Sequence, residues 1–228
     1  MLETDNHQPN NNQRTFLILN YFIGNMFLYS ILFTILIKPF ALEQDLESII
    51  ATLLSSALAI VIGYLIAKPE INKHLNIEKI DWKLVGQTIL MMFVTLFIIS
   101  YIISALFEPP KADNQAIIES IFKKYPLIMV LNITFGAALL EELTFRYAMI
   151  DFAKPTSTLW ISSLLFGAIH LISVLITKQW IQLLNLPVYV SLGYFLGRSY
   201  LKSKSIINPM LIHFIYNGIQ AALMFYLL

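Results

Sequence analysis

The sequence predicts an all-α, polytopic membrane helix bundle with about seven transmembrane helices. Of its 228 residues, 57% are hydrophobic and 13% are charged, and the mean hydropathy is +0.70. A soluble domain carries roughly a quarter charged residues. Long apolar runs occupy nearly the whole chain, so no separate aqueous domain fits and a soluble enzyme is excluded.

The positions of the uncharged runs indicate the individual helices. A spanning helix needs about 20 consecutive apolar residues, and six uncharged runs meet this length. A seventh run, Pro126–Ile150, is as long but contains Glu141, Glu142 and Arg146. The six uninterrupted runs are Thr15–Ile37, Ile49–Ala67, Leu84–Phe107, Pro155–Thr177, Gln179–Gly197 and Ser205–Leu228.

The two ends and the loops complete the predicted organisation. Residues 1–14 are polar and Asn-rich, which predicts a disordered tail, and they lack the positive start of a signal peptide. Residues 15–228 are predicted to form a single transmembrane bundle with short loops, the longest being Glu108–Tyr125. With seven helices, ten basic residues lie on the N-terminal side and five on the other. The positive-inside rule therefore predicts a cytosolic N-terminus.

Charge and cysteine content exclude several functions. The chain has 15 Lys and Arg against 14 Asp and Glu, so it has no basic surplus with which to bind nucleic acid. It has no cysteine, which excludes disulfides, thiolate nucleophiles and Cys-ligated zinc. The partner expected from composition is the lipid bilayer, and nucleic-acid binding is not expected.

Five ionisable side chains fall within predicted spans: Glu141, Glu142, Arg146, His170 and His213. Such a group costs about 2.5–3.5 kcal/mol at the bilayer centre, so it is normally paired or lines a cavity. The four-residue spacing of Glu142 and Arg146 predicts an ion pair on one helix face. Glu141 then lies about 100° around the helix without a basic partner, as expected of a general base.

The other two helices each add a polar face. His170 follows Phe166 by four residues, and Gly167 between them allows a neighbouring helix to approach closely. His213 and Asn217 are also four apart. Helix rise places Glu141, His170 and His213 at similar depths, so they are predicted to meet in the inner half of the bilayer. Each polar residue alone is explicable by packing, but the set on three helices favours a functional site.

Missing motifs narrow the chemistry. No Asp lies in the middle of a predicted span, which excludes a pair of intramembrane aspartates, and no His-Glu-x-x-His sequence occurs. The one Gly-x-Ser, Gly197–Ser199, lacks the second glycine of a nucleophile elbow. A carboxylate and histidine site that activates water is what remains.

These residues carry a family resemblance. Glu141–Arg146 is an EExxxR motif, Phe166–His170 is FxxxH, and His213–Asn217 is HxxxN. In this order, on three late helices, they resemble the CPBP (Abi) family of intramembrane proteases. That family includes the CAAX prenyl endopeptidases and bacterial bacteriocin-processing and self-immunity proteins.

The resemblance implies peptide-bond hydrolysis inside a membrane, expected to be the bacterial plasma membrane, with a catalytic core in residues 126–228. Glu141 would activate a water that His170 helps to position, while His213 and Asn217 would stabilise the oxyanion. Glu142 and Arg146 would form a supporting pair, and Phe166 would shape the site. The substrate would be a CAAX-type protein or a bacteriocin or leader peptide.

Three alternatives stay open at this stage. The family is often described as metalloproteases, and Glu141, His170 and His213 would be the ligands of a Zn site if one is present; a metal-free glutamate protease is the other form. A bacteriocin self-immunity or scaffold protein would act by binding, with the motif residues holding helices together. A small proton-coupled transporter is a third class, which the absence of internal repeats disfavours.

Overall fold

The computed structural model describes residues 8–68, 70–107 and 111–227, and within these ranges the chain is helical, with no strand. This confirms the predicted all-α bundle. Short helical turns at Glu70–His74, Ile77–Lys79, Val174–Thr177 and Trp180–Asn185 lie between the main helices. The main helices are α1 (Asn11–Phe40), α2 (Gln44–Ala67), α3 (Trp82–Phe107), α4 (Asp113–Lys124), α5 (Pro126–Ala148), α6 (Pro155–His170), α7 (Leu186–Ser203) and α8 (Ile207–Leu227).

Five of the predicted spans are helices long and apolar enough to cross a membrane: α1, α2, α3, α5 and α8. The other two differ from prediction. Helix α6 has 16 residues and ends at His170, a length of about 24 Å against a hydrocarbon core of about 30 Å. Helix α7 starts at Leu186, with Pro187 in its first turn, and continues past the predicted end to Ser203. The count of seven spans stays a prediction.

The N-terminal tail is shorter than predicted where the structure describes it. Residues 1–7 of the predicted disordered segment lie outside the described ranges. Helix α1 begins at Asn11 because Asn10 and Gln13 form a reciprocal capping box. Arg14, predicted to lie in the tail, donates hydrogen bonds to the carbonyls of Ala148 and Ile150 at the end of α5.

Helix α4 occupies most of the segment predicted as the longest loop, of which residues 108–110 lie outside the described ranges. Its polar ends suit the helix dipole, with Asp113 in the first turn and Lys123 and Lys124 in the last. Phe122 is buried, and a side chain hydrogen bond joins Gln182 to Asp113. Helix α4 is therefore packed onto the bundle at both ends.

Helix α5 is the central element. It packs against α1, α2 and α8, and half of its apolar window is buried, the largest share among the five candidate spans. Phe145 on this helix packs edge-to-face on Tyr21 and Phe166. The helix that carries both glutamates is thus enclosed by the others.

Helices α6 and α7 form a closely packed pair at two glycines. A Cβ added at Gly167 would lie 2.6 Å from Val190 Cγ2, and one added at Gly193 would lie 3.0 Å from Ser163 Cα. The close approach predicted at Gly167 is therefore present. It fixes α6, and with it Phe166 and His170, against α7.

Candidate active site

Glu142 and Arg146 of α5 form a fully buried pair at the site. Arg146 Nε is 3.1 Å from Glu142 Oε2, and both side chains are 0% exposed. The predicted ion pair thus forms, in a part of α5 that widens to π-helical geometry over Glu142–Ala148. The Arg146 guanidinium lies 4.7 Å from the centre of the Phe166 ring. None of its three nitrogens has a hydrogen-bond partner among the described residues, so its contact with Glu142 is an ion pair.

His213, on α8, connects the two glutamates. Its Nδ1 is 2.9 Å from Glu142 Oε1, and its Nε2 is 3.9 Å from Glu141 Oε2. Because Glu142 also pairs with Arg146, it is an ionised acceptor and His213 donates to it through Nδ1. The longer distance to Glu141 exceeds a hydrogen bond. In the described part of the chain, Glu141 accepts no side chain hydrogen bond, and it is 9% exposed.

His170 is the last residue of α6. Its Nδ1 lies 2.7 Å from the backbone oxygen of Phe166. Since a carbonyl oxygen only accepts, Nδ1 carries a hydrogen, and in the neutral form of the ring Nε2 has the lone pair. His170 can therefore accept a hydrogen bond from water through Nε2.

Phe166 and Asn217 fix the remaining geometry. The Phe166 ring is fully buried, with its centre 4.5 Å from that of His170 and 6.1 Å from that of His213. Asn217 donates from Nδ2 to the carbonyl of Ile133, 2.7 Å away. One Nδ2 hydrogen and the Oδ1 of Asn217 remain for other partners.

One cavity of about 510 Å³ collects the residues predicted to be catalytic: Glu141, His170, His213 and Asn217 all line it. The three predicted supporting residues, Glu142, Arg146 and Phe166, do not line it and lie behind this first layer. Residues from three helices thus meet at one place, as their depths predicted. The cavity can hold a peptide segment together with a water beside Glu141.

Sequence reasoning missed most of the cavity wall. Further lining residues include Tyr21 and Asn25 of α1, Ser56 of α2 and Asn114 of α4. None is charged, so none interrupted an apolar run. For Asn25 and Asn114, the signal in the sequence was an amide side chain within or beside a predicted span, because an amide in a membrane needs a hydrogen-bond partner.

Comparison with protein families finds one similar family. Residues 123–219 match the model of the Rce1-like family, type II CAAX prenyl endopeptidases. This segment is therefore similar to the CPBP/CAAX protease family. The matched segment contains every motif residue from Glu141 to Asn217, and it supports an intramembrane protease activity. Comparison with curated proteins and with solved structures yields no match.

A metal at this site stays a prediction. Protein zinc ligands surround one ion at about 2.0–2.2 Å. Within the described ranges, no three His, Asp or Glu side chains are grouped closely enough to hold an ion. Glu141 and His213 approach each other to 3.9 Å, but the set Glu141, His170 and His213 does not fit a three-ligand site in this arrangement.

Proposed function

We propose that this protein is an intramembrane endopeptidase that hydrolyses a peptide bond of a membrane-associated protein or peptide, using a water activated by Glu141 and His170. The observation that carries the proposal is the cavity in which the Glu141 side chain has no hydrogen-bond partner among the described residues, while His170, His213 and Asn217 line the same space. A buried carboxylate facing three polar groups is the arrangement that water activation requires.

In the proposed reaction, water donates one hydrogen bond to Glu141 and the other to His170 Nε2. As the water oxygen attacks the scissile carbonyl carbon, its proton moves to Glu141 and the carbonyl oxygen becomes an oxyanion. When the tetrahedral intermediate collapses, the C–N bond breaks and Glu141 returns the proton to the leaving amine. Glu141 thus serves first as base and then as acid.

The oxyanion requires donors placed in advance. Asn217 offers its second Nδ2 hydrogen, and His213 offers Nε2–H when its ring carries both protons. Glu142 orients His213 through Nδ1 at 2.9 Å, and Arg146 balances the charge of Glu142. Phe166 packs against the Arg146 guanidinium and the His170 ring.

The substrate class under this proposal is a CAAX-type protein or a bacteriocin or leader peptide. The name of the matched family model favours a prenylated peptide as the first substrate to test. A cavity of about 510 Å³ lies in the range of small-ligand pockets, which are about 300–1,000 Å³. Cleavage is proposed at the cytosolic side of a bacterial plasma membrane, and single-cysteine accessibility labelling can test the orientation because the native chain has no cysteine.

The decisive experiment compares Glu141→Gln with Glu47→Gln, a matched change at the first turn of α2. The substrate is a quenched fluorescent farnesylated CAAX-type peptide, with bacteriocin leader peptides in parallel. We expect Glu141→Gln to lose at least about 10²-fold in kcat because it removes the general base, whereas Glu47→Gln keeps it. Cleavage at the wild-type rate by Glu141→Gln would refute Glu141 as the general base. No cleavage of any of these peptides by the wild-type protein would refute the protease proposal and favour the immunity or scaffold alternative.

A further inference from the structure

We propose that Tyr189 is a positioning residue, which holds the imidazole of His170 in the tautomer and orientation needed to bind the attacking water. This proposal rests on the proposed protease function, because it explains how His170, one of the proposed catalytic residues, is held in place. Tyr189 belongs to none of the three motifs and lies on α7, which carries no motif residue. Both Tyr189 and His170 line the cavity.

The contact between the two rings is a stack. The ring centres of Tyr189 and His170 are 4.8 Å apart, with planes inclined by 23°. Phe166 contacts the same imidazole at 4.5 Å and 37°. Offset aromatic pairs at these distances stabilise one relative orientation. The imidazole is therefore held by two rings in addition to its Nδ1 hydrogen bond.

His170 needs this external support because of its place in the chain. It is the last residue of α6, and the next residue, Leu171, leaves helical geometry at φ −115° and ψ 17°. Turning the ring over would exchange Nδ1 for a carbon at the Phe166 carbonyl and would direct Nε2 elsewhere. The stacked tyrosine opposes that rotation, so Nε2 keeps its lone pair where water can donate to it.

Tyr189 is itself fixed by two contacts. Next to it, Val190 lies against Gly167, where a Cβ would come within 2.6 Å of Val190 Cγ2. The Tyr189 ring packs beside the buried cluster of Leu171 and Val174.

The test uses full-length protein in nanodiscs, with Tyr189→Leu to remove the ring and Tyr189→Phe to keep it. Tyr194→Leu is the matched control, because Tyr194 is a half-buried tyrosine of the same helix that contacts Trp160 and does not line the cavity. The readouts are kcat and KM for the farnesylated peptide and the ¹⁵N shifts of the His170 ring, assigned with His170→Gln. The shifts report which ring nitrogen is protonated, independently of activity.

We expect Tyr189→Leu to lower kcat by about 10-fold or more, since small misplacements of a catalytic group have effects up to about 10²-fold, with a smaller change in KM. In Tyr189→Leu, the ¹⁵N shifts of the His170 ring should move toward those of a mixture of the two tautomers. In Tyr189→Phe and Tyr194→Leu, these shifts should keep their wild-type values. Unchanged ¹⁵N shifts in Tyr189→Leu would overturn the proposal, whether or not kcat falls. If Tyr189→Leu does not fold, Tyr189→Met takes its place with the same expected outcomes. These shifts are measured whatever Glu141→Gln does, so a failure here is distinct from a failure of the protease function.

Discussion

Gly193 offers a direct test of whether the α6 and α7 contact sets the geometry of the site. A Cβ at this position would lie 3.0 Å from Ser163 Cα, 3.2 Å from Ser163 O and 3.3 Å from Phe166 Cβ. Two of these atoms belong to the backbone, so no side chain rotation relieves the contact. Gly193→Ala must therefore move α6, and Phe166 and His170 move with it.

The size of the effect follows from these distances. Carbon atoms in contact lie about 3.5–4.0 Å apart, so the two helices must separate by roughly 0.5–1 Å. Overpacking of this kind costs about 1–3 kcal/mol, whereas replacing glycine by alanine in a helix gains up to about 1 kcal/mol. The net loss of stability is thus about 0–2 kcal/mol. Activity should respond more strongly, by about 10- to 100-fold in kcat, because Phe166 and His170 leave their places.

The assay pairs Gly193→Ala with Gly86→Ala, since a Cβ at Gly86 on α3 has nothing within 4 Å. Both variants are measured for thermal unfolding and for kcat on the farnesylated peptide. Gly86→Ala should keep kcat and unfold at the same or a higher temperature. If Gly193→Ala retains kcat within about twofold of wild type, the idea that the contact between α6 and α7 positions His170 for catalysis is refuted.

Two further predictions address charged groups. Arg146→Met leaves the fully buried Glu142 without its ion-pair partner, which should lower the free energy of unfolding by about 3–5 kcal/mol. The double variant Glu142→Gln with Arg146→Met should recover part of this loss. Equal melting temperatures of wild type and Arg146→Met would contradict the prediction. At the surface, hydrogen bonds from Lys124 and then Tyr125 hold the pKa of Glu43 below its ordinary value of 4.5. This stabilisation is therefore present above pH 4.5 and is lost as pH falls through the lowered pKa, so Lys124→Ala should unfold at a lower temperature than wild type at neutral pH, and the difference should close in acid. A difference that persists at pH 2 would show that Lys124 acts through packing.

The ionisable part of the site was predictable from the sequence because charges inside a membrane are costly and therefore rare. The spacing of Glu142 and Arg146 predicted an ion pair that forms at 3.1 Å. The residue counts along three helices predicted similar depths for Glu141, His170 and His213, and all three line one cavity. In each case helix geometry alone related sequence position to position in space.

The remaining features depended on contacts that periodicity does not record. Helix α6 ends at His170 within an uncharged run, so hydropathy carried no sign of the break. Helix α4 was predicted as a loop because its charged ends concealed the apolar residues Ile117, Ile118 and Ile121. Tyr189 reaches His170 only because the glycine contacts set the register of α6 on α7.

The difference between the two adjacent glutamates shows how far local spacing determines chemistry. Spacing gave Glu142 a partner and left Glu141 without one on their helix, but a partner from another helix could have reversed these roles. His213 of α8 is close to both glutamates, and its Nδ1 lies 2.9 Å from Glu142 Oε1 while its Nε2 lies 3.9 Å from Glu141 Oε2. His213 therefore engages the same glutamate as Arg146 and leaves the roles unchanged. A hydrogen bond with His213 and an ion pair with Arg146 thus engage the carboxylate that is 0% exposed, and the carboxylate that lines the cavity keeps its oxygens for water. Because a base must accept a proton, the less engaged glutamate is the one suited to the reaction.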